Sequence, residues 1–170
     1  MQNVVTLGST FEQSPFGFKQ SYQMRILIAD DHDMVRDTIA MFLESKGMAE
    51  IVSVEDLDAA VKAAEESGSF DLVLLDFNMP GMDGLQGLAR MKEANEDRPV
   101  AILSGTASPQ VAKDAIAAGA AGFLPKTLGA KSMMSAIRST CSSKLSLVRS
   151  NFIENSKPIL LILDAVVLEL

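Results

Sequence analysis

The sequence predicts an α/β domain in which a parallel sheet is covered on both faces by helices. Two observations carry this. Short runs of branched apolar residues alternate with longer segments of helical periodicity five times between Met24 and Ser139. The clearest run, Leu72–Leu75, ends in a single carboxylate, Asp76, closely followed by Met79-Pro80-Gly81. A buried parallel strand that delivers one charged group to a loop has that pattern. In open sheets of this class, chemistry gathers at the carboxyl ends of the strands.

Each element has its own signal. Ile26–Ala29 is a compact apolar run and reads as the first strand. Asp33–Lys46 reads as a helix with Val35, Ile39 and Phe42 on one face and Gly47 as its stop. Glu50–Val54 is the second strand, and Leu57, Ala60, Val61 and Ala64 mark a second helix that ends near Gly68. Leu72–Leu75 is the third strand, and Leu85, Leu88 and Ala89 open a third helix. Pro99 introduces the fourth strand, Val100–Leu103. Pro109 stands where a helix tolerates proline, its first turn, and Ala112, Ile116 and Gly119 share that helix's inner face. Gly122–Leu124 is a short fifth strand, and Ala130–Ser139 a fifth helix carrying Met133 and Ile137. Consecutive β–α units connect by right-handed crossovers, so the sheet is doubly wound. Residues 1–23 are polar and irregular and read as a weakly ordered arm before a domain at 24–140; Met24 is a candidate natural start. Residues 141–170 form a separate tail.

Composition excludes several classes. The 170 residues suit one domain with short extensions. A net charge of -7 argues against direct nucleic acid binding, because phosphate contacts need a surplus of Lys and Arg. The single Cys141 forms no intramolecular disulfide and reads as an unreactive thiol. No basic segment precedes an apolar stretch at the N-terminus. No apolar run reaches the roughly 18–20 residues that span a bilayer. A cytoplasmic chain with no membrane partner is the expectation.

Four strand ends then matter together: Asp30-Asp31, Asp76, Ser104 and Lys126. Singly, each has an ordinary role. An Asp pair before a helix caps it, Ser104-Gly105 makes a turn, Lys126 sits in solvent, and Asp76 begins an Asx-turn. Jointly they do not. Three carboxylates at one edge repel unless a cation compensates, and hard oxygen ligands with room for water suit Mg²⁺. An amine and a hydroxyl beside them can receive an anion's oxygens. That inventory suits phosphoryl transfer to a carboxylate.

Asp30-Asp31, Asp76 in LLDFNMPGMDG, Ser104 in ILSGT and Lys126 in GFLPKT together resemble the receiver domain of two-component response regulators. The spacings agree: 45 residues from Asp31 to Asp76, 28 from Asp76 to Ser104, and 22 from Ser104 to Lys126. The likeness runs from about Met24 to Thr140, and MRILIADDHDMVR with GFLPKT resembles the NarL/FixJ-like branch, whose members carry a C-terminal helix-turn-helix. It implies a flavodoxin-like, five-stranded doubly wound parallel sheet in the order 2-1-3-4-5. It also implies a phosphorylation-dependent response regulator rather than an enzyme, with only self-phosphorylation and self-dephosphorylation chemistry. Asp76 would accept a phosphoryl group from the phosphohistidine of a histidine kinase or phosphotransfer protein. Asp31 would ligate Mg²⁺ directly and Asp30 through water, with Asp76 and the main-chain carbonyl of Asn78 completing the protein ligands. The Asn78 side chain would stand beside the phosphoryl group. Lys126 would pair with Asp76 and then with a phosphoryl oxygen. Ser104 would move to another oxygen and Phe123 would turn inward, switching the face of the fourth helix and fifth strand. Gly105 and Thr106 would leave the site open.

The chain departs from the family in two places. Phe123 lacks the hydroxyl of the tyrosine many members carry, so a switch there works by packing. Pro125 precedes Lys126 instead of following it, so a cis bond between Lys126 and Thr127 would cost roughly 3 kcal/mol. His32, the only histidine, reads as a first-turn helix residue near the pocket mouth and not as a ligand. The methionines of MPGMDG read as turn packing. The tail has three basic residues (Lys144, Arg149, Lys157) against three acidic ones (Glu154, Asp164, Glu169), and no helix-turn-helix pattern. Its apolar end, Pro158–Leu170, leaves three expectations open: docking on the domain, pairing between chains, or a truncated or frame-shifted gene that has lost its output domain. A homodimer would use the tail or the face of the fourth helix and fifth strand. Two other functions stay in view. One is a binding module that keeps the pocket without the reaction. The other is an aspartyl-phosphate phosphatase, against which Asn78 stands where an acid/base Asp is usual.

Overall fold

The computed structural model describes residues 24–149 apart from 46, 48 and 107, with the side chains of 49, 130 and 141–149 left aside. The expected arm at 1–23 and the tail beyond 149 lie outside the described residues. The elements alternate throughout: β1 (Met24–Ala29), α1 (Asp33–Glu44), β2 (Ala49–Val54), α2 (Leu57–Ser67), β3 (Leu72–Asp76), α3 (Gln86–Ala94), β4 (Val100–Ser104), α4 (Pro109–Ala117), β5 (Gly122–Pro125) and α5 (Ala130–Arg149). All four strand pairings are parallel, in the order β2-β1-β3-β4-β5. This is the sheet the sequence predicts.

The period-2 alternation of a strand divides the core between the two faces. Leu27, Ala29, Val73, Leu75, Ile102 and Phe123 face α2, α3 and α4. Ile26, Ile28, Leu72, Leu74, Leu103 and Leu124 face α1 and α5. Every residue of β3 and β4 is buried, which explains why these strands read as continuous apolar runs. Each Leu or Ile buried this way contributes about 1.5–3 kcal/mol.

The strands run further than their apolar runs. Asp76 pairs with Leu103 and Ser104 with Pro125, so polar residues and a proline belong to the ladder. The second helix matches its expectation: Leu57, Ala60, Val61 and Ala64 are its buried residues, Asp56 accepts a hydrogen bond from the Ala59 amide (2.7 Å), and Gly68 ends it at φ +82°. Other helices correct theirs. α1 stops at Glu44, short of Lys46, and its most buried side chain is Leu43, while Val35 and Phe42 only flank the core. α3 begins at Gln86 and buries Gly87, Leu88 and Met91, leaving Ala89 in solvent. α4 buries Ala112 and Ala115; Gly119 lies beyond its end, exposed, at φ +92°. α5 continues ten residues past Ser139, through Cys141 to Arg149.

The loop after Asp76 is anchored from below. Met79 and Met82 are buried in the core cluster, as the turn-packing reading expects. Gly87 makes room for that anchor, because a Cβ there would lie 2.6 Å from Met82 Sδ and 2.9 Å from Leu57 Cδ2. Among the described residues there is no cis peptide bond, in keeping with the proline placed before Lys126, and no helix is long and apolar enough to cross a membrane.

Candidate functional site

The parallel register brings the predicted strand ends to one edge. Asp30 directly follows β1, where its amide donates to Val54 O (3.2 Å). Asp76 is the last residue of β3, and the next amide, of Phe77, donates to Leu103 O (2.9 Å). The Lys126 amide donates to Ser104 O (2.7 Å), which extends the β4–β5 ladder and fixes where the lysine leaves the backbone.

Asp30 and Asp76 are 0% and 1% exposed, respectively, and Lys126 bridges them. Its Nζ lies 2.7 Å from Asp30 Oδ2 and 3.0 Å from Asp76 Oδ1. These are ion-pair contacts without the alignment of a hydrogen bond, and Asp76 Oδ2 likewise has no well-aligned hydrogen bond. Asp30 Oδ1 accepts from the His32 amide (2.9 Å), forming an Asx-turn instead of a helix cap. The N-cap of α1 is His32, and no side chain caps it.

Burial pushes the Asp76 carboxyl above the usual carboxylate range. The neighbouring Asp30 adds to that rise, while Lys126 and, more weakly, the Asn78 amide oppose it. Burial alone would lower the Lys126 ammonium; its contacts with Asp30 and Asp76 more than offset this and hold it above its ordinary value. Three carboxylates and one ammonium leave the pocket two negative charges in excess, which a divalent cation would balance. One ligand atom each from Asp30, Asp31, His32 and Asp76 lies within 4.8 Å of the others, and neither Asp76 oxygen is taken up by a well-aligned hydrogen bond. The residues present therefore fit a divalent ion. Asn78 is exposed on the loop just after Asp76.

Three placements bear on the sequence reading. Gly105 and Thr106 are exposed, yet the Asp76 carboxylate is closed off, so the expected opening does not reach it. Phe123 is 8% exposed and packed in the core. Ser104 is buried beside the pocket, but its Oγ donates to Thr106 O (2.9 Å) and accepts from the Thr106 amide (3.2 Å), turned into the β4–α4 loop. The sequence also missed the contacts of two neighbours. His32 stands at the mouth as expected, with its side chain 64% exposed, but its Nδ1 meets Asp31 Oδ1 at 2.7 Å and Asp30 Oδ1 at 3.2 Å. Arg36, one turn into α1, donates to the Asp30 carbonyl and pairs with Asp33. Adjacency to the Asp pair was the only signal for His32; nothing flagged Arg36.

With this geometry in view, the chain can be set beside known proteins. The family model described as "Response regulator receiver domain" matches residues 26–138. The "Glycerol metabolism activator" of Pseudomonas putida is 39% identical over 114 residues, covering 66% of this chain and 52% of that protein. "Response regulator UvrY" of Escherichia coli (strain K12) is 34% identical over 123 residues, 71% of this chain and 56% of the relative. Among solved structures, the signal receiver domain of the response regulator NarL from Mycobacterium tuberculosis superposes with a TM-score of 0.64 at 29% identity, covering 71% of this chain and 97% of that one. The chain spans about half the length of the first two relatives.

Proposed function

The chain belongs to the response regulator receiver domain family, and on that premise we propose that it is a phosphorylation-dependent switch in which Asp76 is the phosphoacceptor. The observation that carries this is the buried Asp76 carboxylate, whose Oδ2 has no well-aligned hydrogen bond while Lys126 pairs with Oδ1. A buried carboxylate oxygen left unpaired is costly and is the nucleophile such a reaction needs.

In the proposed step, Asp76 Oδ2 attacks the phosphorus of a phosphohistidine on a histidine kinase or phosphotransfer protein. An O–P bond forms, the P–N bond breaks, and the electron pair returns to the imidazole. Lys126 already sits against Asp30 and Asp76, so it meets the charge arriving on the phosphoryl oxygens without reorganising. Ser104 reaches a phosphoryl oxygen by giving up its bond to Thr106. Because Asp76 is closed off, the loops that carry Asn78 and Thr106 shift to admit the donor. Phe123, packed against α4, couples that movement to the α4/β5 face, where a homodimer or an output partner would read it. Asp30, Asp31, Asp76 and the Asn78 carbonyl would hold Mg²⁺, which when bound screens the negative charge between carboxylate and phosphoryl group. This chemistry is cytoplasmic in the proposal, and the kinase is the partner it implies.

Intact mass after incubation with acetyl phosphate and Mg²⁺ tests the reading. The expected result is a labile gain of one phosphoryl group on the wild type and none on Asp76→Asn. No gain in folded wild-type protein, or equal gain in both, would overturn it.

A further inference from the structure

Arg36 donates to the Asp30 carbonyl and pairs with Asp33 from the first turn of α1. We infer that it is a positioning residue: by holding that carbonyl it sets the Asp30–Asp31 peptide and so aims the Asp31 carboxylate at the pocket. This rests on the reading above for what the pocket does, but its geometry is independent of phosphoryl transfer.

Three residues, Asp30, Asp31 and His32, join β1 to α1. The start of α1 does not fix them, because its N-cap, His32, makes no side-chain cap hydrogen bond. Asp30 is instead held at each of its polar groups. Its amide donates to Val54 O (3.2 Å), Oδ1 accepts from the His32 amide (2.9 Å), Oδ2 faces Lys126 (2.7 Å), and its carbonyl accepts from Arg36. A residue has two soft backbone dihedrals and the peptide that follows is planar. Fixing both the amide and the carbonyl of Asp30 therefore fixes the plane from which Asp31 departs. Asp31 needs that guidance. Its exposed carboxylate meets only the exposed His32 Nδ1 (2.7 Å) among the described residues. The Arg36 side chain is 14% exposed, so its charge-assisted bond to the Asp30 carbonyl is largely shielded from water.

Positioning and plain charge make opposite predictions. As a cation beside an acidic pocket, Arg36 repels a dication, so on charge alone its removal would tighten Mg²⁺. As the residue that sets Asp31, its removal loosens a ligand and weakens Mg²⁺. Asp33, the other partner of Arg36, is exposed and serves as the control, since its charge is screened by solvent.

The probe is Mg²⁺ alone, titrated into the full chain and followed by NMR through the imidazole signals of His32, the only histidine, which stands against Asp31. Arg36→Met is expected to weaken Mg²⁺ roughly tenfold. Arg36→Lys, which keeps a donor but not the planar fork, recovers part of that loss, and Asp33→Asn stays close to wild type. Arg36→Gln, milder for the fold, gives the same comparison as Arg36→Met. Affinity in the folded Met or Gln variant equal to or above that of wild type would overturn the inference, because a residue that only supports the fold leaves the affinity of the folded fraction unchanged. Acetyl phosphate labelling of wild type separates the two readings. Labelling together with unchanged Mg²⁺ affinity in the variants sinks only the positioning role. Weakened Mg²⁺ in the variants without labelling of wild type sinks only the phosphoacceptor. A wild type that binds no Mg²⁺ sinks both.

Discussion

The two ends of the sheet bury similar polar groups and treat them in opposite ways. At the amino end, Asn95 is fully buried at the close of α3, and both halves of its amide are used. Its Oδ1 accepts from the Phe70 amide (2.7 Å) and its Nδ2 donates to Phe70 O (3.1 Å). Arg25 lies over the Phe70 ring, 4.7 Å from its centroid, and donates to Ser67 O (3.1 Å). Asp71 accepts from the Arg25 amide (2.8 Å) and from Arg98 (3.0 Å). At the carboxyl end, Asp30 and Asp76 share one lysine, and neither Asp76 oxygen has a well-aligned hydrogen bond. A low-dielectric interior strengthens a satisfied network and penalises an unsatisfied one. One end therefore stabilises the fold, while the other keeps buried charge at the expense of stability.

Substitutions can break this contrast. The largest effect is expected from Lys126→Met, which leaves Asp30 and Asp76 buried without a cation and should cost about 3–5 kcal/mol at neutral pH. Urea unfolding against pH sharpens the point. The Lys126 value is raised above 10.5 in the fold, so its stabilisation is complete below that pH and is lost as pH climbs through the folded value. The gap between wild type and Lys126→Met should close on the alkaline side.

Asn95→Ala comes next. It strands the Phe70 amide and carbonyl in the interior and should cost about 2–3 kcal/mol by denaturant unfolding, with acetyl phosphate labelling of the folded fraction unchanged. A loss of labelling from that fraction would blur the division between the two ends. The smallest effect is a pH slope. The Asp76 value is raised above 3.8, so just above that pH the folded chain holds more protons than the unfolded one, and this group's contribution to stability falls as pH rises. Asp76→Asn should flatten that slope in unfolding midpoints measured from pH 4 upward.

The same contrast explains what could be read in advance. Branched apolar runs identify buried parallel strands directly, and the chemistry-bearing residues stand at their ends, so Asp30, Asp76, Ser104 and Lys126 were legible as one edge. The strand ends fell a residue short because Asp76, Ser104 and Pro125 carry no apolar signal while still pairing in the ladder. Helix faces were legible where four small or branched residues agree, as in α2. They drifted where alanine and glycine carry the pattern, as at Ala89 and Gly119. Orientation was not legible: spacing put Ser104 at the edge, but only packing turns its hydroxyl to Thr106. Asn95 gave no warning either, since an amide after a helix reads as a turn until its two backbone partners are in place.

The central claim is that Asp76 is kept reactive against the interest of the fold. The direct measurement is Asp76→Asn, with its labelling by acetyl phosphate in Mg²⁺ and its unfolding in urea at pH 7 read on the same preparation. The account predicts no phosphoryl gain together with a stability higher by about 1 kcal/mol, because a neutral amide relieves the repulsion with Asp30 and leaves Lys126 its other partner. Wild-type labelling, or a variant that is less stable than wild type, would contradict it.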